Sequence, residues 1–153
     1  MSGEIHWRWC TFEKLGPYDL YDILALRQAV FIIEQQCLFP DADGRDHEAY
    51  HLLGRTSEGT LAAYLRAFPP RSPEGHPSLG RVVVHPRFRG SGLGRLVVEE
   101  GLRMIGERYP KRRVRIAAQH VVESFYRRMG FVREGEPYRE DGIVHVAMVR
   151  PST

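Results

Sequence analysis

The chain has 153 residues, 42% of them hydrophobic, a length and composition that predict one globular domain over residues 1–153. Two cysteines are too few to indicate a disulfide-rich secreted fold. No stretch has the pattern of a secretion signal or a membrane span, so we expect a cytoplasmic protein without membrane attachment.

The formal net charge of +3 is unevenly distributed. Residues 1–60 contain five Lys or Arg and ten Asp or Glu, whereas residues 61–153 contain 17 and nine. A basic half is compatible with nucleic acid or with a nucleotide-containing cofactor. We favour the cofactor and expect no nucleic-acid partner, because no helix-turn-helix, zinc-finger or RNP-type aromatic strand accompanies the arginines.

Hydrophobic periodicity predicts the elements before residue 80. Alternating or continuous apolar residues indicate strands, and an apolar stripe after Pro17 indicates a helix. Thr56-Ser57-Glu58-Gly59 is typical of a hairpin turn. The predicted order is a strand over 5–11, a helix over 19–35, strands over 49–55 and 60–68, and a loop over 69–79.

The segment RVVVHPRFRGSGLGRLVVEEGL at 81–102 has the pattern of a phosphate-binding site. Three valines predict a strand that Pro86 ends, a loop rich in arginine and glycine follows, and apolar spacing then predicts a helix. Unpaired N–H groups at a helix start attract anions, and glycines allow close approach. The residues expected to contact the ligand are Val82, Val83, Val84, Arg87, Arg89, Gly90, Ser91, Gly92, Leu93, Gly94 and Arg95.

Two common phosphate-binding motifs do not fit this loop. A P-loop ends in Gly-Lys-Ser/Thr, whereas Gly94 is followed by Arg95. A dinucleotide fingerprint reads GxGxxG with an acidic residue about 20 positions later, but here the glycines read GxGxG and 112–115 is Arg-Arg-Val-Arg. The loop instead resembles the acyl-CoA loop of the GNAT family of N-acetyltransferases. The family pattern Arg/Gln-x-x-Gly-x-Gly/Ala fits here as Arg87-Gly90-Gly92 or as Arg89-Gly92-Gly94.

The last third of the chain agrees with that resemblance. We predict a strand over 114–118, a helix over 121–129, and strands over 131–134 and 144–149. Within this region, Tyr126 precedes the pair Gly130-Phe131 by four residues, as a tyrosine does in the helix-to-strand element of the GNAT family. Gly130 is expected to end the helix in the left-handed conformation.

Further segments are similar to the ElaA-type acetyltransferases, a GNAT subgroup. They are 19–27, 30–37, 43–46, 51–54 and 140–145. The resemblance covers about residues 5 to 150 and implies the GNAT acyl-CoA N-acyltransferase fold, of class α/β (mixed α+β). That fold has a central, mostly antiparallel mixed sheet with one parallel pair and helices on both faces. Dimers formed through edge strands are common in the family, so the resemblance allows a homodimer.

The resemblance implies an acetyl-CoA-dependent N-acetyltransferase that moves the acetyl group directly to a primary amine of a small molecule or peptide in a ternary complex. Tyr126 would protonate the departing thiolate, since a phenol with a pKa of about 10 is neutral at pH 7. A backbone N–H of Val83 or Val84 would meet the oxyanion. The candidate bases for the amine, in falling order, are Glu34, His120 and His145.

Ser124 and Gln119 complete the expected cofactor contacts. Gln119 departs from the family pattern, because many relatives have an asparagine seven residues before the tyrosine, on the pantetheine arm. Two other function classes stay open. One is an acyl-CoA-binding sensor without turnover, and the other is a nucleic-acid-binding module.

Acidic residues concentrate between 34 and 48, and two interpretations are open. One is a carboxylate-lined wall that attracts a cationic amine, and the other is a solvated loop. We expect no metal, because His47 and His51 lack further ligands and Asp41-Ala42-Asp43-Gly44 lacks the other ligands of a calcium loop. The acidic residues are Glu34, Asp41, Asp43, Asp46 and Glu48.

Overall fold

Eight strands form one sheet in the computed structural model, which describes residues 3–152. The strands are β1 (His6–Thr11), β2 (Tyr50–Arg55), β3 (Leu61–Phe68), β4 (Ser78–Val84), β5 (Val114–Gln119), β6 (Val132–Arg133), β7 (Tyr138–Glu140) and β8 (Ile143–Arg150). The α-helices are α1 (Pro17–Arg27), α2 (Leu93–Arg108) and α3 (Glu123–Arg127). A π-helical segment, Gln28–Glu34, continues α1, and 3₁₀ turns occupy Phe12–Lys14, Asp46–Glu48, Pro86–Phe88 and His120–Val122.

The strand order is β1-β2-β3-β4-β5-β8-β6, with β7 also paired to β8. All of these pairs are antiparallel except β4 with β5, which α2 connects as a βαβ unit. The predicted mixed sheet with one parallel pair is therefore confirmed. The parallel pairing covers only Ser78 with Arg115 and Leu79 with Ile116.

Helices cover both faces of the sheet, as predicted, and each face has its own hydrophobic core. Strand β3 is buried along its whole length, because its alternate side chains enter opposite cores. Leu65 packs in the core that contains Val97 of α2. Tyr64 packs in the other core, with Ile23 of α1.

Three elements differ from the sequence prediction. The helix predicted over 19–35 begins at Pro17 and changes to π-helix at Gln28, a change that apolar spacing does not encode. The helix predicted over 121–129 is divided into a 3₁₀ turn and the short α3. Hydrophobic periodicity does not predict strand β7, because its three residues, Tyr138–Glu140, are all exposed. The Asp141-Gly142 turn after β7, with φ of 53° and 78°, is the signal that identifies this hairpin.

Gly130 ends α3 in the left-handed conformation, as predicted. Its φ is 95°, its N–H donates to the Arg127 carbonyl at 3.0 Å, and the Phe131 N–H donates to the Tyr126 carbonyl at 3.1 Å. These two bonds form a Schellman motif. The motif turns the chain so that Tyr126 and Phe131 enter the same core.

We expect Gly130→Ala to lower the free energy of unfolding by about 1–2 kcal/mol, because a Cβ disfavours the left-handed conformation. That Cβ would also lie 3.2 Å from Arg150 Nε. The matched control is Gly106→Ala in α2, where a Cβ meets nothing within 4 Å and alanine favours the helix. Urea titration of both variants checks this, and equal losses of stability would contradict it.

Candidate active site

A cavity of about 260 Å³ opens where β4 and β5 separate. Side chains and backbone of both strands line it, together with residues of the π-helical segment and the chain after it, α3, and the β7–β8 hairpin. Openings at the ends of parallel strands are common ligand sites in α/β folds. The predicted site residues that line the cavity are Val82, Val83, Val84, Arg89, Gln119 and Tyr126.

The glycine loop lies directly after β4 and leads into α2. Gly90 and Gly92 have φ of 80° and 83°, and Ser91 Oγ donates to the Phe88 carbonyl at 2.6 Å. Gly92 is the N-cap of α2, so the first N–H groups of a 16-residue helix face the loop. Gly90, Ser91 and Gly92 are exposed, whereas Phe88 and Gly94 are partly covered and the side chain of Leu93 is buried.

The arginines of the loop differ in their surroundings. Arg89 donates to Glu34 through both terminal nitrogens, Nη1 to Oε2 at 2.7 Å and Nη2 to Oε1 at 2.8 Å. Arg95 pairs with Glu99 at 3.0 Å within α2, and Arg87 lies over the Phe88 ring. The Arg89–Glu34 pair therefore joins the loop to the end of the π-helical segment.

Tyr126 is buried, with 6% of its surface exposed, and lines the cavity from α3. Phe125 and Phe131 pack edge-on against its ring, with centroid distances of 5.0 and 5.7 Å. Burial raises the pKa of the Tyr126 hydroxyl above its ordinary value, so it stays protonated at neutral pH. Ser124, two residues earlier, is exposed and does not line the cavity.

Gln119 and His145 face each other across the β5–β8 pair and both line the cavity. The Gln119 amide donates to Gln35 Oε1 at 3.1 Å. His145 Nδ1 lies 2.8 Å from the Ile143 carbonyl, which only accepts hydrogen bonds, so the proton of the neutral ring is on Nδ1. His145 Nε2 is then the basic nitrogen.

The other two candidate bases have different surroundings. Hydrogen bonds from Arg89 hold the pKa of the Glu34 carboxyl below its ordinary value, which weakens it as a base. His120 is exposed, lies 3.2 Å from Glu123 and does not line the cavity. Of the three candidates, only His145 lines it.

In the acidic segment, Asp41, Asp43 and Asp46 are paired with arginines, and of these three only Asp41 lines the cavity. Each of them accepts hydrogen bonds from arginines, whose charges balance the buried carboxylates of Asp41 and Asp46 and the exposed one of Asp43. The bonds come from Arg27 of α1, Arg66 of β3 and Arg81 of β4. Sequence reasoning missed these arginines, because Arg27 belongs to an apolar helix and Arg66 and Arg81 to apolar strands.

The pairing shifts the titration of the carboxylates. Hydrogen bonds from Arg66 lower the pKa of Asp43 far below its ordinary 3.8. Burial alone would raise the pKa of Asp46, but bonds from Arg27 and Arg66 outweigh it, and the net direction is down. Both groups are therefore anionic at neutral pH.

Within residues 3–152, the structure contains neither a candidate metal site nor a membrane-spanning helix. Within them, no three His, Cys, Asp or Glu side chains are grouped so that they could hold a metal ion. No helix in that range has the length and apolar character needed to cross a membrane.

Comparison with known proteins identifies the family. Residues 30–151 match the model of the acetyltransferase (GNAT) domain. The chain is 34% identical to ElaA of Escherichia coli, over 95% of this chain and 96% of ElaA. It is 40% identical to a UPF0039 protein of Synechocystis sp., over 95% of each.

Solved structures agree. An acyl-CoA N-acyltransferase from Pseudomonas aeruginosa has a TM-score of 0.89 and 36% identity, covering 96% of this chain and 99% of that one. The E. coli ElaA crystal structure has the same TM-score and 33% identity, with the same coverage. The chain therefore belongs to the GNAT acetyltransferase family. Within that family, its relatives include ElaA and the UPF0039 proteins, which confirms both resemblances and the fold.

The lowered pKa values predict how acid affects stability. A carboxyl whose pKa is lower in the fold adds stability above its unfolded pKa and loses it as the pH falls through its folded pKa. For Asp43 the loss begins as the pH falls below the ordinary value of 3.8. We expect Asp43→Asn to be less stable at pH 7 and to lose less stability than the wild type below pH 4.

Urea denaturation between pH 2.5 and 7 measures, for the wild type and for Asp43→Asn, the slope of the free energy of unfolding against pH. The control is Glu48→Gln, which removes a carboxylate whose contact with Arg45 is 3.6 Å long. It should keep the wild-type slope. Parallel curves for wild type and Asp43→Asn would contradict the assignment.

Proposed function

We propose that the protein transfers the acetyl group of acetyl-CoA directly to the primary amine of a small molecule or peptide, in a ternary complex. Family membership makes acyl transfer from an acyl-CoA the general activity. The observation that best supports the specific proposal is the juxtaposition of three parts. Arg89 of the glycine loop, the open edge of β4 and the buried Tyr126 line one cavity, and the glycines that follow Arg89 lead from it to the start of α2.

The loop would bind the diphosphate of the cosubstrate. The N–H groups of residues 90–95 lie at the start of α2, where the helix dipole favours an anion. Arg87 and Arg89 lie in this loop and Arg95 lies in the first turn of α2, and all three would add charge-assisted hydrogen bonds. Gln119, whose amide now bonds to Gln35, would contact the pantetheine arm.

The open edge of β4 would supply the donor for the oxyanion that forms when an amine attacks the thioester carbonyl. The His85 N–H donates to Ala62 of β3 at 2.8 Å. Successive N–H groups of a strand point to opposite edges, so the N–H of Val84 points away from β3 and toward the separated β5. This geometry favours Val84 over Val83 as the donor.

Proton transfer requires an acid and a base. Tyr126 would protonate the departing thiolate, and its raised pKa keeps the proton available at neutral pH. For the base that accepts the proton of the amine, we place His145 ahead of Glu34. His145 lines the cavity with Nε2 basic, whereas Arg89 holds both carboxylate oxygens of Glu34.

An assay of thiol release from acetyl-CoA against amines, polyamines, amino acids and peptides tests the proposal. We expect turnover with at least one primary amine. Tyr126→Phe should lower kcat by about 10²- to 10⁴-fold, because the general acid is lost. Calorimetry should show nearly unchanged affinity for CoA in that variant.

Tyr109→Phe is the matched control, since Tyr109 does not line the cavity, and it should keep wild-type kcat. CoA binding without thiol release across the whole panel would contradict the proposal and indicate a sensor. Full activity of Tyr126→Phe would contradict the role of its hydroxyl.

Glu34 and the phosphates of the cosubstrate would compete for Arg89. We therefore expect Glu34→Gln to bind CoA about two- to fivefold more tightly, the range typical of an exposed ion pair.

The same variant also tests which residue is the base. We expect His145→Gln to lower kcat more than Glu34→Gln does. Calorimetry and initial rates measure these effects.

The control for net charge is Glu48→Gln, which removes a carboxylate that does not line the cavity. Equal tightening in both glutamate variants would show that net charge, not competition for Arg89, sets the affinity. A larger loss of kcat in Glu34→Gln than in His145→Gln would restore Glu34 as the base.

A further inference from the structure

Strand β4 contains an irregularity next to the cavity. Tyr64 of β3 pairs with Val83, whereas Arg66 pairs with Gly80, so Arg81 and Val82 together oppose one residue of β3. This is a β-bulge. Arg81 has a φ of 50°, a left-handed conformation that costs energy for any residue with a Cβ.

The side chain of Arg81 leaves the bulge and binds Asp41, which precedes β2 in the chain. Arg81 Nε donates to Asp41 Oδ1 at 2.8 Å, and Nη2 donates to the Asp41 carbonyl at 3.0 Å. Arg27 of α1 holds the same residue from the other side. Its Nε donates to Asp41 Oδ2 at 2.7 Å and its Nη2 to the Asp41 carbonyl at 3.0 Å.

Asp41 is thus held by four hydrogen bonds from two arginines, and Arg27 is 0% exposed. Asp46, five residues later in the same segment, is also held by two arginines. Asp46 Oδ1 accepts from Arg27 Nη1 at 2.7 Å and from Arg66 Nη1 at 2.8 Å. The segment 41–46 is therefore attached to α1, β3 and β4 at once.

A gain in the free energy of unfolding is a poor explanation for these buried ion pairs. Buried ion pairs lose much of their attraction to desolvation, and the left-handed Arg81 adds a further cost. Such pairs do impose a specific geometry, because each guanidinium fixes Asp41 at two points, one carboxylate oxygen and the backbone carbonyl. The geometry in question is the distance between segment 41–46 and the bulge of β4.

That distance matters for the cavity. Phe39, Pro40 and Asp41 line it, and from β4 it is lined by Arg81 itself and by Val82, Val83 and Val84. We propose that Arg81 is a positioning residue. Acting through Asp41, it sets the part of the cavity wall formed by Phe39, Pro40 and Asp41 against β4, the strand to which the proposed function assigns the oxyanion donor. The inference rests on the proposed function for its effect on turnover, but its structural part is independent of activity.

Hydrogen exchange and steady-state kinetics on Arg81→Lys and Asp41→Asn test the proposal. Lysine keeps the charge but loses the two-point contact. We expect faster amide exchange in residues 38–46 and 82–84 together. We also expect kcat at least tenfold lower, and a change of less than twofold in the dissociation constant of CoA.

The matched control is Arg55→Lys. Arg55 also pairs with two carboxylates, Asp19 at 2.8 Å and Asp22 at 3.0 Å, but does not line the cavity. It should leave exchange in both segments and kcat unchanged. Arg81→Gly, which accepts the left-handed conformation without strain, covers the case in which Asp41→Asn does not fold, and it should behave as Arg81→Lys does.

Unchanged exchange in both segments, or exchange that rises in only one, would overturn the proposal whatever the activity. Wild-type kcat in Arg81→Lys and Arg81→Gly would also overturn it. If the wild type transfers acetyl to no amine but the two segments loosen together, the proposed function fails and the positioning of segment 41–46 by Arg81 stands.

Discussion

The separation of β4 from β5 after only two paired residues is the constraint on which the rest of the site depends. Buried backbone N–H and C=O groups need hydrogen-bond partners, and a strand that loses its neighbour leaves them directed at open space. A ligand with its own amide groups is able to replace the missing strand, as in other cases of strand addition. The open edge of β4 thus offers backbone hydrogen-bonding groups beside the side chains that line the cavity.

The glycine loop and α3 lie close to this opening. The glycine loop follows β4 at once, so the start of α2 lies beside the last residues of the strand. A Cβ on Gly94 would lie 3.7 Å from both Val84 and Phe125, which shows how closely the loop, strand β4 and α3 meet. The Schellman motif after α3 then holds Tyr126 at the cavity. Hydrogen bonds from Arg27, Arg66 and Arg81 fix segment 41–46, whose first residue, Asp41, also lines the cavity.

Sequence reasoning predicted the local features well, because they depend on neighbouring residues. The valine strand, the glycine loop, the helix after it and the Gly130 turn each have a signature within about ten residues. The acidic segment shows the limit. The partners of Asp41 and Asp46 are Arg27, Arg66 and Arg81, 14 to 40 positions away, and only the folded sheet brings them together. Sequence reasoning also ranks Glu34 first among the candidate bases without its partner in view, since no local pattern indicates that Arg89 donates to both of its carboxylate oxygens.

Backbone amide exchange of the wild-type protein with and without acetyl-CoA tests the central claim most directly, because it reports the groups that are supposed to bind. The account predicts slower exchange at residues 82–84 and 90–95 on addition of the cosubstrate. Binding that leaves both stretches unprotected, or that protects a different surface, would contradict it.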